Sequence, residues 1–341
     1  MADKISVSVI GGSGYVGGDL IRILLGHPNV EFRQSSALKE EGIKITNIHP
    51  NLRSFTDSKF VSTKEIEHCD VLFIAIPHGI THKSLPDYLD KADKIIDLSA
   101  DYRLKDAEKY EHWYGFEHEN PDLLKKFVYG LPELHREEIK KTNYAAIPGC
   151  GATTMIFGAF PFKDITESCI FDLKFGSSGA GNQASIATHH PERIHAFRAF
   201  KPSLHRHTAE VEQELGIKVD VSSYAVELVR GIHSTCHIKT KKELTDKDVW
   251  QLLRDAYSDE FFIRVLNDVK SLYRFPEPKI LSGTNFVDVG FSIDSRSKRL
   301  ISFSALDNIT RGSAGQAVQS MNLMCGFEET TALKFPGLHP I

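Results

Sequence analysis

Apolar and polar positions divide this chain into two stretches of different periodicity. In the first, short β-branched runs end abruptly in glycine, proline or serine. Residues 4–10 (Lys-Ile-Ser-Val-Ser-Val-Ile) form such a run, as do residues 30–36, 71–76 and 95–98. Near-continuous apolar runs of this kind mark strands buried on both faces of a parallel sheet. Residues 19–25 are amphipathic and stop at Gly26-His27-Pro28, which predicts a helix with a defined end. In the second stretch a strand over 169–174 precedes a helix over 208–215, with Thr208 as its N-cap. Alternation over 219–229 and 231–239 then predicts antiparallel strands. Thr245-x-x-Asp248 opens a helix running to 257, and 280–289, 291–293 and 300–306 read as further strands. A helix of small residues over 316–325 follows. A βα half followed by a strand-rich half predicts an α/β domain joined to an α+β domain.

The first run leads directly into Gly11-Gly12-Ser13-Gly14-Tyr15-Val16-Gly17-Gly18. Strand, glycine loop and helix in that order match a dinucleotide-binding turn, here spaced G-x-x-G-x-x-G. Backbone N–H groups at Ser13, Tyr15 and Val16 would meet the pyrophosphate, with its charge at the helix N-terminus. The second strand ends without the acidic residue that binds a ribose 2′-hydroxyl. Ser35, Ser36 and Lys39 stand there instead and suit a 2′-phosphate, so the expected cofactor is NADP(H). The strand over 71–76 ends at Pro77-His78-Gly79 and the next at Ser99-Ala100-Asp101-Tyr102-Arg103, where ligand-facing loops belong. Pro77 is a candidate cofactor contact and Arg103 a candidate substrate contact.

The chemistry centres on Ala146-Ile147-Pro148-Gly149-Cys150-Gly151-Ala152. Residues 152–160 read as an apolar helix, which puts Cys150 at or just before its first turn. A thiolate there is stabilised by the helix N-terminus, and the flanking glycines leave room for a carbonyl. Cys150 is the candidate nucleophile, with N–H groups near Gly151 as oxyanion donors. Gly176-Ser177-Ser178-Gly179-Ala180-Gly181-Asn182 is a second candidate anion loop, through Ser178 and Gly179. Beyond it lies a basic, histidine-rich run from His189 to His207. It lacks acidic or thiolate partners at metal spacing, so no metal is expected. Arg193, Lys201 and His207 read instead as a basic funnel for an anionic substrate. A histidine of His205-Arg206-His207, oriented by a carboxylate such as Glu210, suits a general acid/base with a pKa near neutrality, and as an imidazolium it would keep a thiolate ionised.

Composition narrows the class. The 341 residues are 41% hydrophobic and 25% charged with formal net charge −4, which excludes a disordered, fibrous or generally nucleic-acid-binding chain. The five cysteines are odd in number and lack metal spacing, as expected of thiols in a reducing cytosol. There is no signal-peptide pattern and no run of about 18 apolar residues. A cytoplasmic protein is expected.

Together these stretches resemble the N-acetyl-γ-glutamyl-phosphate reductase family, relatives of aspartate-semialdehyde dehydrogenase. The marks, in order along essentially the whole chain, are Gly11 to Gly17, Asp97-Leu98-Ser99-Ala100-Asp101-Tyr102-Arg103 and Tyr129-Gly130-Leu131-Pro132-Glu133. Then come Pro148-Gly149-Cys150, His205-Arg206-His207-Thr208-Ala209-Glu210 and Gly315-Gln316-Ala317-Val318-Gln319. The resemblance implies a Rossmann-type NADP-binding domain (1–147 and 312–341) and a catalytic and oligomerisation domain of the semialdehyde dehydrogenase type (148–311). It also implies cofactor contacts from Asn308 and Gly315. The implied reaction is NADPH-dependent reduction of an acyl phosphate to an aldehyde, with Cys150 as nucleophile, His205 as acid/base and Glu210 as its support.

Ser185-x-x-x-His189-His190-Pro191-Glu192-Arg193 and Lys201-Pro202 look like the branch acting on carrier-bound aminoadipyl phosphate in lysine synthesis. In that branch some members also take the glutamyl substrate for arginine. Two departures are visible. Ser35-Ser36-Ala37-Leu38-Lys39 stands where the family often has Ser-Ser-Arg, and Gly151 differs from many arginine-pathway members. The second departure counts against free N-acetyl-γ-glutamyl phosphate, which stays as the alternative substrate. A non-catalytic nucleotide-binding protein that engages a carrier, and another thiol-dependent aldehyde dehydrogenase, stay open as other classes. The expected partners are a small acidic carrier protein and further copies of the chain, as a homotetramer or dimer.

Overall fold

The computed structural model describes residues 4–266 and 270–340. Two compact units emerge: Met1–Pro148 with Ser313–Phe335, and Gly149–Gly312 with Pro336–Ile341. Thirteen strands are described, namely β1 (Ile5–Ile10), β2 (Val30–Ser36), β3 (Cys69–Ile74), β4 (Ala92–Asp97), β5 (Val128–Tyr129), β6 (Tyr144–Ala146), β7 (Thr166–Phe175), β8 (Phe197–Lys201), β9 (Asp220–Val226), β10 (Ile232–Thr240), β11 (Ile263–Val265), β12 (Val287–Asp294) and β13 (Arg299–Leu306). Helices of eight or more residues are α1 (Tyr15–Leu25), α2 (Pro132–Ile139), α3 (Cys150–Ala159), α4 (His207–Leu215), α5 (Asp246–Tyr257) and α6 (Gly315–Met324).

In the first unit the six strands are all parallel, in the order β2-β1-β3-β4-β6-β5. The β-branched runs are its buried centre: Val7, Val9, Val71, Phe73 and Ile96 have no exposure. β1 has β2 on one side and β3 on the other, the switch point where such sheets open a crevice at the strands' C-terminal ends. The glycine loop lies there. Helix α1 starts at Tyr15, four residues before the expected start, because Gly17 and Gly18 are helical and buried. α6 belongs to this unit: Asn322 Oδ1 meets His27 Nε2 at 2.9 Å, and Gln319 Nε2 donates to Glu133 at 2.9 Å.

The second unit is built on a mixed sheet in the order β11-β12-β13-β10-β7-β9-β8. Alternation puts Cys169, Phe171, Leu173 and Phe175 of β7, with Ile232, Cys236 and Ile238 of β10, on the buried face. There α3 packs, with every residue from Gly151 to Ala159 buried. Ser302 and Ser304 of β13 donate to the Gly158 and Thr154 carbonyls at 2.5 and 2.7 Å, so small side chains seat the helix close to the sheet. The other face carries Asp172, Lys174, His233, Thr235 and His237, all half-buried.

Two expectations change here. The run over 280–289 is not one strand: Pro278–Leu281 is a 3₁₀ turn and the strand begins at Val287. β8, whose five residues are all exposed, was not foreseen because an edge strand open on both faces shows no apolar period.

Candidate active site

Cys150 is the first residue of α3, with Gly149 as N-cap and no side chain capping the helix. The first-turn N–H groups therefore lack the usual side-chain acceptor and favour negative charge on the sulfur or on an oxyanion beside it. Thr154 Oγ1 donates to the Cys150 carbonyl at 2.8 Å and Thr153 Oγ1 to the Gly149 carbonyl at 3.2 Å, fixing the turn from inside the helix.

Both neighbouring glycines are required by what lies against them. A Cβ on Gly149 would stand 2.6 Å from His207 Cδ2 and 2.9 Å from Glu210 Oε1. One on Gly151 would stand 2.5 Å from His207 Nδ1 and 2.9 Å from the Phe175 ring. The His207 imidazole thus lies against the turn that presents Cys150. Glu210 is wholly buried, and its Oε2 accepts the Gly149 N–H at 2.9 Å. Its carboxylate holds the cysteine turn.

His205 is placed differently from the imidazolium expected. Its ring stacks on Phe175 with centroids 5.5 Å apart and lies 4.7 Å from the His207 ring. His205 Nδ1 accepts the backbone N–H of His207 at 3.3 Å, so Nδ1 carries no proton. Burial first, then the charges of Arg206 and Lys201, push its pKa down to about 4. His205 is a neutral imidazole with its proton on Nε2, a hydrogen-bond donor at neutral pH. It, and not Thr208, takes the first N–H of α4, whose N-cap is Arg206.

The segment after β13 closes the turn from another side. A Cβ on Gly312 would stand 3.1 Å from Cys150 Cα, so this stretch touches the nucleophile. It is anchored by Asp307, fully buried, which accepts from Ile309 N–H and Thr310 N–H at 2.8 Å each. The Arg230 guanidinium forks onto the same carboxylate at 2.7 and 3.0 Å. Asn308 Oδ1 accepts the Gly231 N–H at 2.7 Å, and its Nδ2 donates to Ser178 Oγ at 2.9 Å. Ser178 and Asn308 are thereby brought together; Gly179 beside them is exposed. Arg193 donates to the carbonyls of Phe175 and Val226 at 2.9 and 2.5 Å, tying down the ends of β7 and β9, while Lys201 is exposed on β8. Asp307, Arg230 and Gly312 were missed from sequence. Arg230 and Asp307 are 77 residues apart and nothing local pairs them.

In the first unit the dinucleotide loop is shaped by its own contacts. The Gly11 and Gly12 N–H groups donate to the Ser36 carbonyl at 3.1 and 2.9 Å. Gly11 has φ +83°, and Gly17 lets α1 sit on the loop: a Cβ there would be 2.6 Å from Gly12 Cα. Gly14, the N-cap of α1, has nothing nearer its Cβ position than 3.7 Å. α1 has no capping side chain and no acid in its first turn, and Tyr15 is half exposed beside it. An anionic dinucleotide fits this loop. Ser35 and Ser36 lie beneath it: Ser35 Oγ donates to the Val9 carbonyl at 3.1 Å, and Ser36 Oγ accepts from Thr63 Oγ1 at 3.1 Å. Lys39 and Pro77 are exposed, and Gly315 is the first residue of α6. Arg103 is buried and donates from Nε to the Ile147 carbonyl at 2.7 Å and from Nη2 to the Leu98 carbonyl at 3.1 Å, joining the loops after β6 and β4. In that motif Asp97 is fully buried, which, with Asp101 nearby, pushes its carboxyl up to about 7.

Residues 6–142 match the family described as semialdehyde dehydrogenase, NAD binding domain, and residues 150–308 match its dimerisation domain. A protein of Thermomicrobium roseum named putative [LysW]-L-2-aminoadipate 6-phosphate reductase is 48% identical, covering 99% of both chains. The chain belongs to the semialdehyde dehydrogenase family, in that reductase branch. Other members of the branch include putative [LysW]-L-2-aminoadipate/[LysW]-L-glutamate phosphate reductases of Pyrococcus abyssi, 47% identical over 98% of this chain and 99% of the relative, and Nitrosopumilus maritimus, 44% identical over 98% and 99%. The family fold is seen in aspartate semialdehyde dehydrogenase II of Vibrio cholerae, with TM-score 0.70 and 17% identity over 95% of this chain and 99% of that one. It is also seen in the Candida albicans enzyme with NADP, with TM-score 0.70 and 14% identity over the same shares.

Proposed function

We propose that this chain is an NADPH-dependent reductase that converts an aminoadipyl or glutamyl phosphate, held on a carrier protein, to the semialdehyde in lysine or arginine synthesis. The observation that carries the reading is Cys150 at the uncapped start of α3, with the His207 ring against both its glycine neighbours and a neutral His205 beside that ring.

Cys150 sulfur attacks the acyl carbon, the bond to the phosphate oxygen breaks, and phosphate leaves with the electron pair, giving a thioester on Cys150. First-turn N–H groups at Cys150 and Gly151 stabilise the tetrahedral oxyanion, each worth about 3 kcal/mol. When bound, NADPH supplies the hydride that reduces the thioester carbon. The resulting oxyanion collapses to the aldehyde, and the C–S electron pair returns to sulfur as the Cys150 thiolate, to which the neutral His205 offers its Nε2–H as a hydrogen-bond donor. Glu210, through the Gly149 N–H, keeps the turn in register for both steps. Gly11, Ser13, Gly14, Tyr15, Val16 and Gly17 would hold the dinucleotide, and exposed Lys39 just past β2 suits the 2′-phosphate. Ser178, Gly179, Arg193 and His207 shape the substrate side.

The carrier reading rests on β8 and its flanks. Arg198 and Lys201 are exposed there beside Phe197 and Phe200, at 69% and 48% exposure, an edge suited to an acidic protein. The relatives' names attach the acyl group to LysW, which we take as that carrier. A second copy of the chain would cover the half-buried polar face of the seven-stranded sheet, where Asp172 and Lys174 lie on β7. The cytoplasm suits five cysteines that are all unbridged.

The test is kcat/KM for carrier-bound and free N-acetylated acyl phosphates across ionic strength. Carrier-bound substrate should win at low salt and lose efficiency steeply as salt rises, and Lys201→Ala should flatten that slope. Equal efficiency for the free substrate, without salt dependence, would favour free N-acetyl-γ-glutamyl phosphate instead.

A further inference from the structure

Between β2 and β3 the chain makes an excursion over residues 37–68 in place of a long crossover helix. Ile45, Leu52 and Phe60 bury themselves at 0%, 2% and 1% exposure and fasten it to the first unit. His49 sits between the short helix Ile45–Ile48 and the turn Pro50–Leu52. Its own N–H donates to the Ile45 carbonyl at 2.8 Å and its carbonyl accepts from Leu52 at 3.0 Å, so its backbone is fixed on both sides. The ring meets the Phe60 ring edge-on with centroids 6.4 Å apart.

From that position the imidazole reaches back 37 residues to the dinucleotide loop, where Nε2–H donates to the Gly12 carbonyl at 2.7 Å. Burial holds His49 below the usual histidine range, which keeps it neutral. The space it occupies is made by Gly18: a Cβ there would stand 2.5 Å from His49 Nδ1. Gly18 is thus required by the histidine, whereas Gly17 is required by the loop itself. In a trans peptide the C=O and the following N–H point opposite ways. A Gly12 carbonyl held toward the imidazole therefore turns the Ser13 N–H away from it.

We propose that His49 is a positioning residue for the dinucleotide site, fixing the Gly12–Ser13 peptide in the orientation that presents the Ser13 N–H to a cofactor phosphate. The inference rests on the NADP(H) reading above. His49 does not touch the cofactor; it acts through one peptide plane of the loop.

The test measures Kd for NADPH and for 2′-AMP, which lacks the pyrophosphate, on wild type, His49→Ala, His49→Gln and Gly18→Ala, with unfolding temperatures alongside. Losing one well-aligned hydrogen bond should weaken NADPH about tenfold in His49→Ala while 2′-AMP stays within about twofold. Glutamine brings an N–H donor to a similar place and should restore most of the affinity. Gly18→Ala, which displaces the ring, should copy His49→Ala. NADPH binding unchanged in His49→Ala, equal loss of both ligands, or no rescue by glutamine would overturn the proposal. A wild-type chain that binds neither ligand would overturn the cofactor reading and this inference with it.

Discussion

Replacing Glu210 separates two roles for a buried carboxylate near a histidine. In the structure Glu210 Oε2 accepts the Gly149 N–H at 2.9 Å with no solvent exposure. Glu210→Ala leaves that N–H buried and unpaired, at a cost of about 1–3 kcal/mol. For a unit of this size that is an unfolding temperature lower by about 2–4 °C per kcal/mol. Expressed instead as misplacement of Cys150 in the transition state, the same energy is roughly a 5- to 150-fold fall in kcat. Glu210→Gln keeps an oxygen that accepts the N–H, so it should lose only the charge assistance, about 1 kcal/mol. The charges acting on His205 are those of Arg206 and Lys201. Its titration, followed by NMR of the ring, should therefore stay near 4 in Glu210→Gln and rise in Lys201→Ala. A downward move of the His205 titration in Glu210→Gln would show the carboxylate acting on that imidazole. Unchanged stability and kcat in Glu210→Ala would show that the bond holds nothing.

Gly312→Ala should cost at least tenfold in kcat and about 1–3 kcal/mol of stability, because its Cβ would press on the backbone and Cβ of Cys150, which have no room to yield; steady-state rates and thermal melts check it. His205 has a folded pKa of about 4 against an ordinary value of 6.5, so the unfolded chain binds the extra proton between those values. Wild type should therefore lose stability relative to His205→Asn as pH falls from 6.5 to 4, by up to about 3 kcal/mol, and the gap should close above pH 6.5. Parallel melts that keep a constant gap across that window would contradict the burial of a neutral imidazole.

What the sequence made legible was whatever local pattern decides. The β-branched runs, the glycine loop and the helix opening at Cys150 follow from periodicity and turn chemistry. The Thr245–Asp248 capping box appears as read, with Thr245 Oγ1 accepting from Asp248 N–H at 3.3 Å. Where tertiary contact outweighs propensity the reading shifted. α1 runs through Gly17 and Gly18 because the loop and His49 occupy the space that side chains would take. The N-terminus of α4 is satisfied by the His205 ring in place of a threonine hydroxyl. The cations read as one basic funnel divide in the structure: Arg193 is tied to main-chain carbonyls and Lys201 stays at the surface, while Arg103, read separately as a substrate contact, also binds carbonyls. Residues acting across long separations, such as His49 on Gly12 or Arg230 on Asp307, leave no local mark at all.

The central claim is a covalent acyl intermediate on one cysteine. Carrier-bound acyl phosphate mixed with enzyme in the absence of NADPH should release one inorganic phosphate per active site. Intact-protein mass spectrometry should then show a hydroxylamine-labile adduct of the acyl-carrier mass, mapped by digestion to the peptide containing Cys150 and missing in Cys150→Ser. Adding NADPH should discharge it as semialdehyde. Phosphate release without an adduct, an adduct on another residue, or substantial turnover by Cys150→Ser would contradict the account.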